Sequence, residues 1–219
     1  MVVQTARLLN NPYIGLFLLA TDRFCLAPDT IERRDVKMIE DVLGVDVILT
    51  RVSGTSLIGV FAAGNSNGVV LPWITYEDEV QRLEDAGIKT LVLKDKVTAL
   101  GNLVEANDKG ALVSPLIRRE NVEYISKHLG VKAVQKGVGD MEISGAAVVA
   151  TNKGFLAHPN VEEPELKELE KLFGVKGGTT TANFGDPFVG ASIVANSNGV
   201  LVGDKTTPVE LLKIEDVLG

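Results

Sequence analysis

The sequence predicts an α/β fold in which five repeats of about 44 residues, each a strand, strand, helix, strand (ββαβ) unit, close into a pseudo-fivefold ring. Three observations predict it. First, five segments share one plan: IGLFLLATDRFCLAP, IGVFAAGNSNGVVLP, LGNLVEANDKGALVSP, SGAAVVATNKGFLAHP and VGASIVANSNGVLVGD, each opening with a glycine (Gly15, Gly59, Gly101, Gly145, Gly190). Second, each segment is followed by a helical pattern that closes on another glycine, 28 or 29 residues after the first, and successive opening glycines are 42–45 residues apart. Third, the fifth helix ends the chain without the extra strand that follows the other four, and a strand of matching pattern stands at the N-terminus.

The elements follow in order. Each segment runs from its glycine through small and β-branched residues into a polar turn (TDR, NSNG, NDKG, TNKG, NSNG) and returns through a second apolar run. Apolar runs around an Asn/Asp-Gly turn predict a hairpin with φ > 0 at the turn. The helices come next. Val36, Ile39, Val42 and Leu43 fall at helical spacing in the first, and Val122, Ile125 and Leu129 in the third. Pro164 and Pro208 suit a first helical position, Thr75 and Thr207 suit caps, and Gly44, Gly87, Gly130, Gly174 and Gly219 suit helix ends. VDVILTRV, IKTLVLKD, VKAVQKGV and VKGGTTTA are the strands that follow. VVQTARLL, with its strand at residues 2–8, precedes the first hairpin as those strands precede theirs, so it closes the ring against the last unit and leaves no bare sheet edge. The repeats read as 8–51, 52–95, 96–138, 139–182 and 183–219 of a single domain. A β-propeller blade has four strands and no helix, so the helical patterns count against that alternative.

Composition narrows the function. Of 219 residues, 45% are apolar, enough to bury a sizeable core, and only 5% are aromatic, so aliphatic side chains fill it. The net charge of −7 argues against holding DNA or bare RNA by a positive field. No apolar run approaches the roughly 20 residues of a membrane helix, and the N-terminus lacks a signal pattern, so a soluble, cytoplasmic protein is expected. Cys25 is the single cysteine, which rules out an intrachain disulfide.

A catalytic reading fares poorly. Cys25 occupies the strand slot that the other repeats give to Val69, Leu112 and Leu156, and so reads as a small buried hydrophobe. His158 and His128 belong to different repeats, lack a local acid or thiol partner, and read as surface or capping residues. The NSNG and NDKG turns lack the phosphate-loop pattern. No metal or cofactor is expected.

Five ββαβ units in a ring resemble the pentein fold. Within it, NNPYIGLFLLATDRFCLAP, RVSGTSLIGVFAAGNSNGVVLP, TALGNLVEANDKGALVSP and VVATNKGFLAHP resemble the archaeal and eukaryotic translation initiation factor 6 family over the whole chain. The C-terminal tail of the eukaryotic members is missing, so the chain resembles the archaeal ones. The resemblance implies a non-enzymatic protein that binds the large ribosomal subunit beside the sarcin-ricin loop, with a basic ribosomal protein as main contact. It blocks joining of the small subunit and, in eukaryotes, accompanies large-subunit maturation. Other penteins are enzymes acting on guanidine groups, as hydrolases or amidinotransferases, and form the rival class. A closed ring needs no partner copy, so a monomer is expected.

Motif by motif, the resemblance carries subunit contact onto Gly15, Thr55 and Ser56 of SGTS, Val60, and Asn102 of TALGN. At Val60 the chain departs from eukaryotic members, which carry a basic residue. Equivalent loops add Tyr13, Leu100, Ser144 and Phe188. All lie on the end of the ring where the loops NNPY, RVSGTS, VTA, GDMEIS and FGDPF differ between units, and unlike loops on like units are a natural seat of function. Recurrence of the opening glycines also suits close backbone approach at the ring axis. Asn102 stands where the other units have Leu16, Val60, Ala146 and Ala191, a polar residue in an apolar slot.

Overall fold

The structure, a computed structural model, describes residues 2–219. The N-terminal strand β1 (Val2–Ala6) leads into a 3-10 turn at Ile14–Leu16, a hairpin of β2 (Leu19–Ala20) and β3 (Phe24–Pro28), the helix α1 (Arg33–Leu43) and the strand β4 (Asp46–Thr50). The second unit repeats this with α2 (Ile58–Phe61), β5 (Ala63–Asn65), β6 (Gly68–Pro72), α3 (Glu77–Asp85) and β7 (Thr90–Leu93). The third has α4 (Leu100–Leu103), β8 (Val104–Ala106), β9 (Gly110–Val113), α5 (Arg119–Leu129) and β10 (Lys132–Gln135). The fourth has α6 (Ser144–Ala147), β11 (Val148–Ala150), β12 (Gly154–Ala157), α7 (Glu163–Phe173) and β13 (Lys176–Thr179). The fifth has α8 (Val189–Ser192), β14 (Ile193–Ala195), β15 (Gly199–Gly203) and α9 (Pro208–Leu218).

Each of the five sheets has three strands: an antiparallel hairpin and a third strand parallel to its return arm. In the fifth sheet that third strand is β1, with Val2 opposite Gly199 through Ala6 opposite Gly203. The N-terminus therefore closes the ring, as its sequence pattern predicts. Among the described residues no helix is long and apolar enough to cross a membrane.

Three kinds of contact join neighbouring units. The opening glycines do not lie on strands, as the hairpin reading placed them, but in one-turn helices stacked around the axis. A Cβ at Gly15 would strike the carbonyl oxygen of Gly190; at Gly59, that of Gly15; at Gly101, that of Gly59; at Gly145, that of Gly101; at Gly190, that of Gly145. The chain of contacts returns to its start, a closed collar that a side chain would wedge apart. The second contact is apolar. Each long helix packs across the seam onto the preceding unit, so Val194 and Leu201 share a core with Ile39 and Leu43 of α1. Likewise Phe24 and Leu26 pack with Leu71 and Leu83.

The third contact corrects the hairpin turns. Gly68, Gly110, Gly154 and Gly199 do not have positive φ. They are glycine because the last turn of a neighbouring helix lies on the strand. A Cβ at Gly110, Gly154 or Gly199 would strike the carbonyl oxygen of Leu172, Val217 or Val42, and one at Gly68 would come within 2.7 Å of the His128 ring. The buried asparagine of the turn fastens the same seam. Asn196 Nδ2 donates to Thr21 O and Leu43 O at 2.9 and 2.8 Å, Asn65 to Asn107 O and Leu129 O, and Asn107 to Thr151 O and Phe173 O. One accepting carbonyl in each pair lies at a helix end, where the helix has no donor of its own.

Helix ends match the sequence in part. Thr207 caps α9 and forms a capping box with Glu210, and Gly44, Gly130 and Gly174 take left-handed C-cap conformations. Thr75 does not cap α3. Tyr76 holds that position through its backbone N–H, which donates to Glu79 Oε2 at 3.0 Å.

Candidate docking face

The two ends of the ring differ. At the turn end, Asp22, Ser66, Asp108, Asn152 and Ser197 come from equivalent positions and bond to one another. Ser197 Oγ donates to Asp22 at 2.7 Å, Ser66 Oγ to Asp108 at 2.8 Å, and Asn152 Nδ2 to both aspartates at 2.7 Å. These hydrogen bonds outweigh burial and hold the Asp22 carboxyl below its usual range. The polar groups there are spent on each other.

The other end carries the carboxyl ends of the parallel strands, where open α/β sheets present ligand-binding loops. In four units the loop is a tight turn closed by an isolated bridge: Leu8 with Asn11, Val52 with Thr55, Val138 with Met141, Ala182 with Asp186. The tips have left-handed backbone: Leu9 and Asn10 at φ 49° and 60°, Ser53 and Gly54 at 55° and 72°, Gly139 and Asp140 at 55° and 66°. The fifth has three such residues, Asn183, Phe184 and Gly185, at 48°, 67° and 93°. A glutamate near the start of the same unit's helix reaches back to hold three of these tips. Glu79 accepts from Ser53 N and Gly54 N at 2.7 Å each, Glu165 from Gly139 N at 3.1 Å, and Glu210 from Gly185 N at 2.8 Å and Phe184 N at 3.3 Å. Burial pushes the Glu210 carboxyl up, but hydrogen bonds from Thr181, Thr207 and Gly185 outweigh it and hold its pKa at about 2. In the third unit, Asp95 takes this role from the loop side, accepting from Arg118 N and Asn121 Nδ2.

The residues named from the sequence divide into two groups here. Leu100 and Ser144 are fully enclosed: Leu100 lies in the core, and Ser144 Oγ donates to Lys136 O at 2.9 Å. Gly15 is buried in the collar. Leu100 and Ser144 offer no surface to a partner, and Gly15 very little. Tyr13, Thr55, Ser56, Val60, Asn102 and Phe188 keep part of their surface in solvent. Thr55 Oγ1 shapes its turn by accepting from Leu57 N at 3.2 Å, and Ser56 meets Thr30 across the first seam at 3.2 Å. Asp186 lies beside both Tyr13, whose pKa it raises, and Phe188, from whose backbone N–H it accepts at 2.8 Å.

The nucleophile and histidines are not assembled. Cys25 is fully buried, and burial pushes its pKa up to about 12. His158 is buried rather than on the surface. Its Nδ1 accepts from Asn160 N at 3.1 Å, its ring lies 5.5 Å from that of Phe188, and burial lowers its pKa. His128 Nε2 lies 3.1 Å from Val69 O on another element. Among the described residues no group of three or more His, Cys, Asp or Glu is placed to hold a metal ion.

Sequence reading missed two residues. Phe184 projects from the fifth tip with 81% of its surface exposed. The triplet Asn-Phe-Gly, a bulky residue inside a turn signal, was the available clue. Glu105 borders an axial cavity of about 70 Å³ lined by the collar glycines and small side chains. Aligning the repeats puts it opposite Leu19, Ala63, Val149 and Val194, the same kind of departure that marked Asn102.

Five helix-backed sheets around a glycine collar, with unlike rigid loops at one end, define a pentein-type ring. The eIF-6 family model matches residues 3–217. A translation initiation factor 6 of Pyrococcus abyssi is 41% identical over 216 residues, covering 96% of this chain and 95% of that one. That of Saccharolobus islandicus is 37% identical over 222 residues, covering all of both. That of Methanocaldococcus jannaschii is 39% identical over 215, covering 95% and 94%. Among solved structures, a dimethylarginine dimethylaminohydrolase of Pseudomonas aeruginosa with citrulline aligns with a TM-score of 0.47 at 13% identity, over 76% of this chain and 68% of that one. The chain belongs to the eIF-6 family and acts in translation initiation. Its relatives carry the name of initiation factors, not of enzymes.

Proposed function

We propose that this protein binds the large ribosomal subunit through its loop face and blocks the small subunit by occupying the joining surface, with a further part in large-subunit maturation. The observation that carries the reading is membership of the family over residues 3–217. The physical features agree with it. Occlusion requires residence rather than chemistry, and nanomolar affinity, about −12 kcal/mol, suffices at cellular concentrations above that value. Tips pinned by Glu79, Glu165 and Glu210 dock without first being ordered. A net charge of −7 favours a basic ribosomal protein over exposed rRNA as the main contact near the sarcin-ricin loop.

Tyr13, Thr55, Ser56, Val60, Asn102 and Phe188 are the contact residues in this reading. Gly15, Leu100 and Ser144 stand behind them. The protein works as a cytoplasmic monomer without a cofactor. The test is sedimentation of archaeal ribosomal subunits with and without the protein. Co-migration with the large subunit and a fall in joined ribosomes are expected; neither occurring defeats the proposal.

A further inference from the structure

We infer that Phe184 is the apolar anchor of the loop face, and that it seats in a protein partner with an apolar cleft and cationic edges. The inference rests on the loop face being the docking face and specifies what meets it there.

Phe184 is placed against the interest of the fold. It is 81% exposed at φ 67°, in a region where a bulky side chain is a genuine outlier. By the glutamate contact they share, the position of Phe184 is held by Ser53 in unit two and Gly139 in unit four, both small, and Leu9 at φ 49° is the other large apolar residue on a left-handed tip. A strained conformation persists only where the surroundings enforce it, and strain without structural return points to function. The surroundings here are Glu210, whose oxygens take both Phe184 N and Gly185 N, so the ring projects from a fixed base. Anchors held in place before contact lose little freedom on binding.

Its neighbours share its character. Leu9, Trp73, Tyr76 and Val209 are the other large hydrophobics exposed at this end. With Phe184 they lie on units five, one and two, which are consecutive around the ring. Thr181, Val209 and Lys213 border an open hollow of about 290 Å³ beside the Phe184 ring. The exposed apolar groups therefore form an off-centre arc within the loop face, and Asn102 on unit three lies outside it.

Charge favours protein over RNA on this arc. Aromatic residues that stack on bases work with free cations that hold the phosphates. Three arginines here are engaged, Arg7 with Asp204 at 2.8 Å, Arg34 with Glu32 at 3.0 Å and Arg51 with Asp29 at 2.8 Å, which leaves Arg33 and Lys213 as scattered cations rather than a phosphate-binding track. With a chain charge of −7, such a surface suits an apolar cleft edged by lysine or arginine.

The experiment compares the full-length protein with F184G, F184N and F184L, measuring equilibrium binding to purified archaeal large ribosomal subunits and thermal unfolding of each variant. Glycine and asparagine should weaken binding by at least about tenfold while their unfolding midpoints stay at or above that of the original protein. Leucine, apolar but unable to stack, should bind within about threefold. Original-strength binding by F184G and F184N overturns the anchor and leaves the docking reading standing. F184L falling as far as F184G overturns the protein cleft in favour of base stacking. Failure of the unsubstituted protein to bind removes the docking reading itself, and the anchor with it.

Discussion

Replacing Glu105 with glutamine should stabilise the protein at neutral pH, and the gain should disappear near pH 4. Glu105 stands among apolar equivalents at the axis, and one of its oxygens accepts from Ala150 N at 2.6 Å. Burial drives its pKa up to about 8 from the usual 4.5, and the single backbone hydrogen bond recovers only part of that shift. The unfolded carboxyl ionises above pH 4.5 while the folded one keeps its proton to about pH 8, so folding takes up a proton throughout that window. Stability therefore falls as pH rises from 4.5 to 8, by ~1.4 kcal/mol per pH unit. Glu105 keeps part of its surface on the axial cavity, so the accumulated cost at pH 7 is at most about 3 kcal/mol, still a large share of the stability of an ordinary domain. Below pH 4.5 the carboxyl is neutral in both states and the cost vanishes. Glutamine keeps the length and the acceptor oxygen for Ala150 N and has no charge to desolvate. The assay is urea unfolding of both proteins from pH 4 to pH 8. The two stabilities should coincide at the acid end and diverge steadily above it. A gap that does not change with pH, or a glutamine protein that is weaker throughout, would refute the argument, because either result means the carboxyl is already ionised or partnered in the fold.

Three further outcomes follow from named contacts. Glu210→Gln should cost about 2–3 kcal/mol at pH 7, because the depressed pKa of about 2 contributes stability that is fully present above pH 4.5 and is lost as pH falls toward 2; urea unfolding at pH 7 and pH 3 should show the gap closing. Asn196→Ala strands the carbonyls of Thr21 and Leu43 at the seam that closes the ring and should lower stability by about 2–4 kcal/mol in thermal or urea unfolding. Asn102→Asp, or a bulky residue at Ser56, should weaken large-subunit binding and leave the unfolding midpoint nearly unchanged, since both side chains reach solvent at the loop face.

The architecture was legible because repetition multiplies weak signals. One Gly-apolar-turn-apolar pattern is ambiguous; five at near-constant spacing, each with a helix and a closing glycine, leave few folds. The errors came where one residue type serves two physical purposes. Glycine after a polar turn suggested positive φ, yet Gly110 and Gly154 are glycine because a helix carbonyl from the next unit would occupy the Cβ position. That contact is sixty residues away in sequence and leaves no local trace. The opening glycines read from sequence as close-approach residues at the start of a hairpin, and the one-turn helices that hold them are too short to show a period. Leu100 and Ser144 were named by position in the repeat, which fixes the backbone and not which way a side chain faces.

The repeat also separates what the ring needs from what it carries. A feature present in all five units, such as the glycine collar, is explained by closure and says little about a partner. A feature present once, at a cost, is not explained that way. Glu105 puts an ionisable group where four units have aliphatic or small ones, Phe184 puts the only aromatic ring among the described left-handed tip residues, and Asn102 puts an amide among apolar equivalents. The unit sequences act as one another's control, so these departures can be weighed without relatives. Phe184 and Asn102 reach solvent at the loop face, while Glu105 faces the axial cavity. Substitution at the first two should therefore change binding more than folding, and at the third should change the pH dependence of folding more than binding. Subunit affinity and unfolding measured on the same three variants would separate the two roles, and a Glu105→Gln protein that unfolded normally but no longer bound would show the axis to be part of the docking surface.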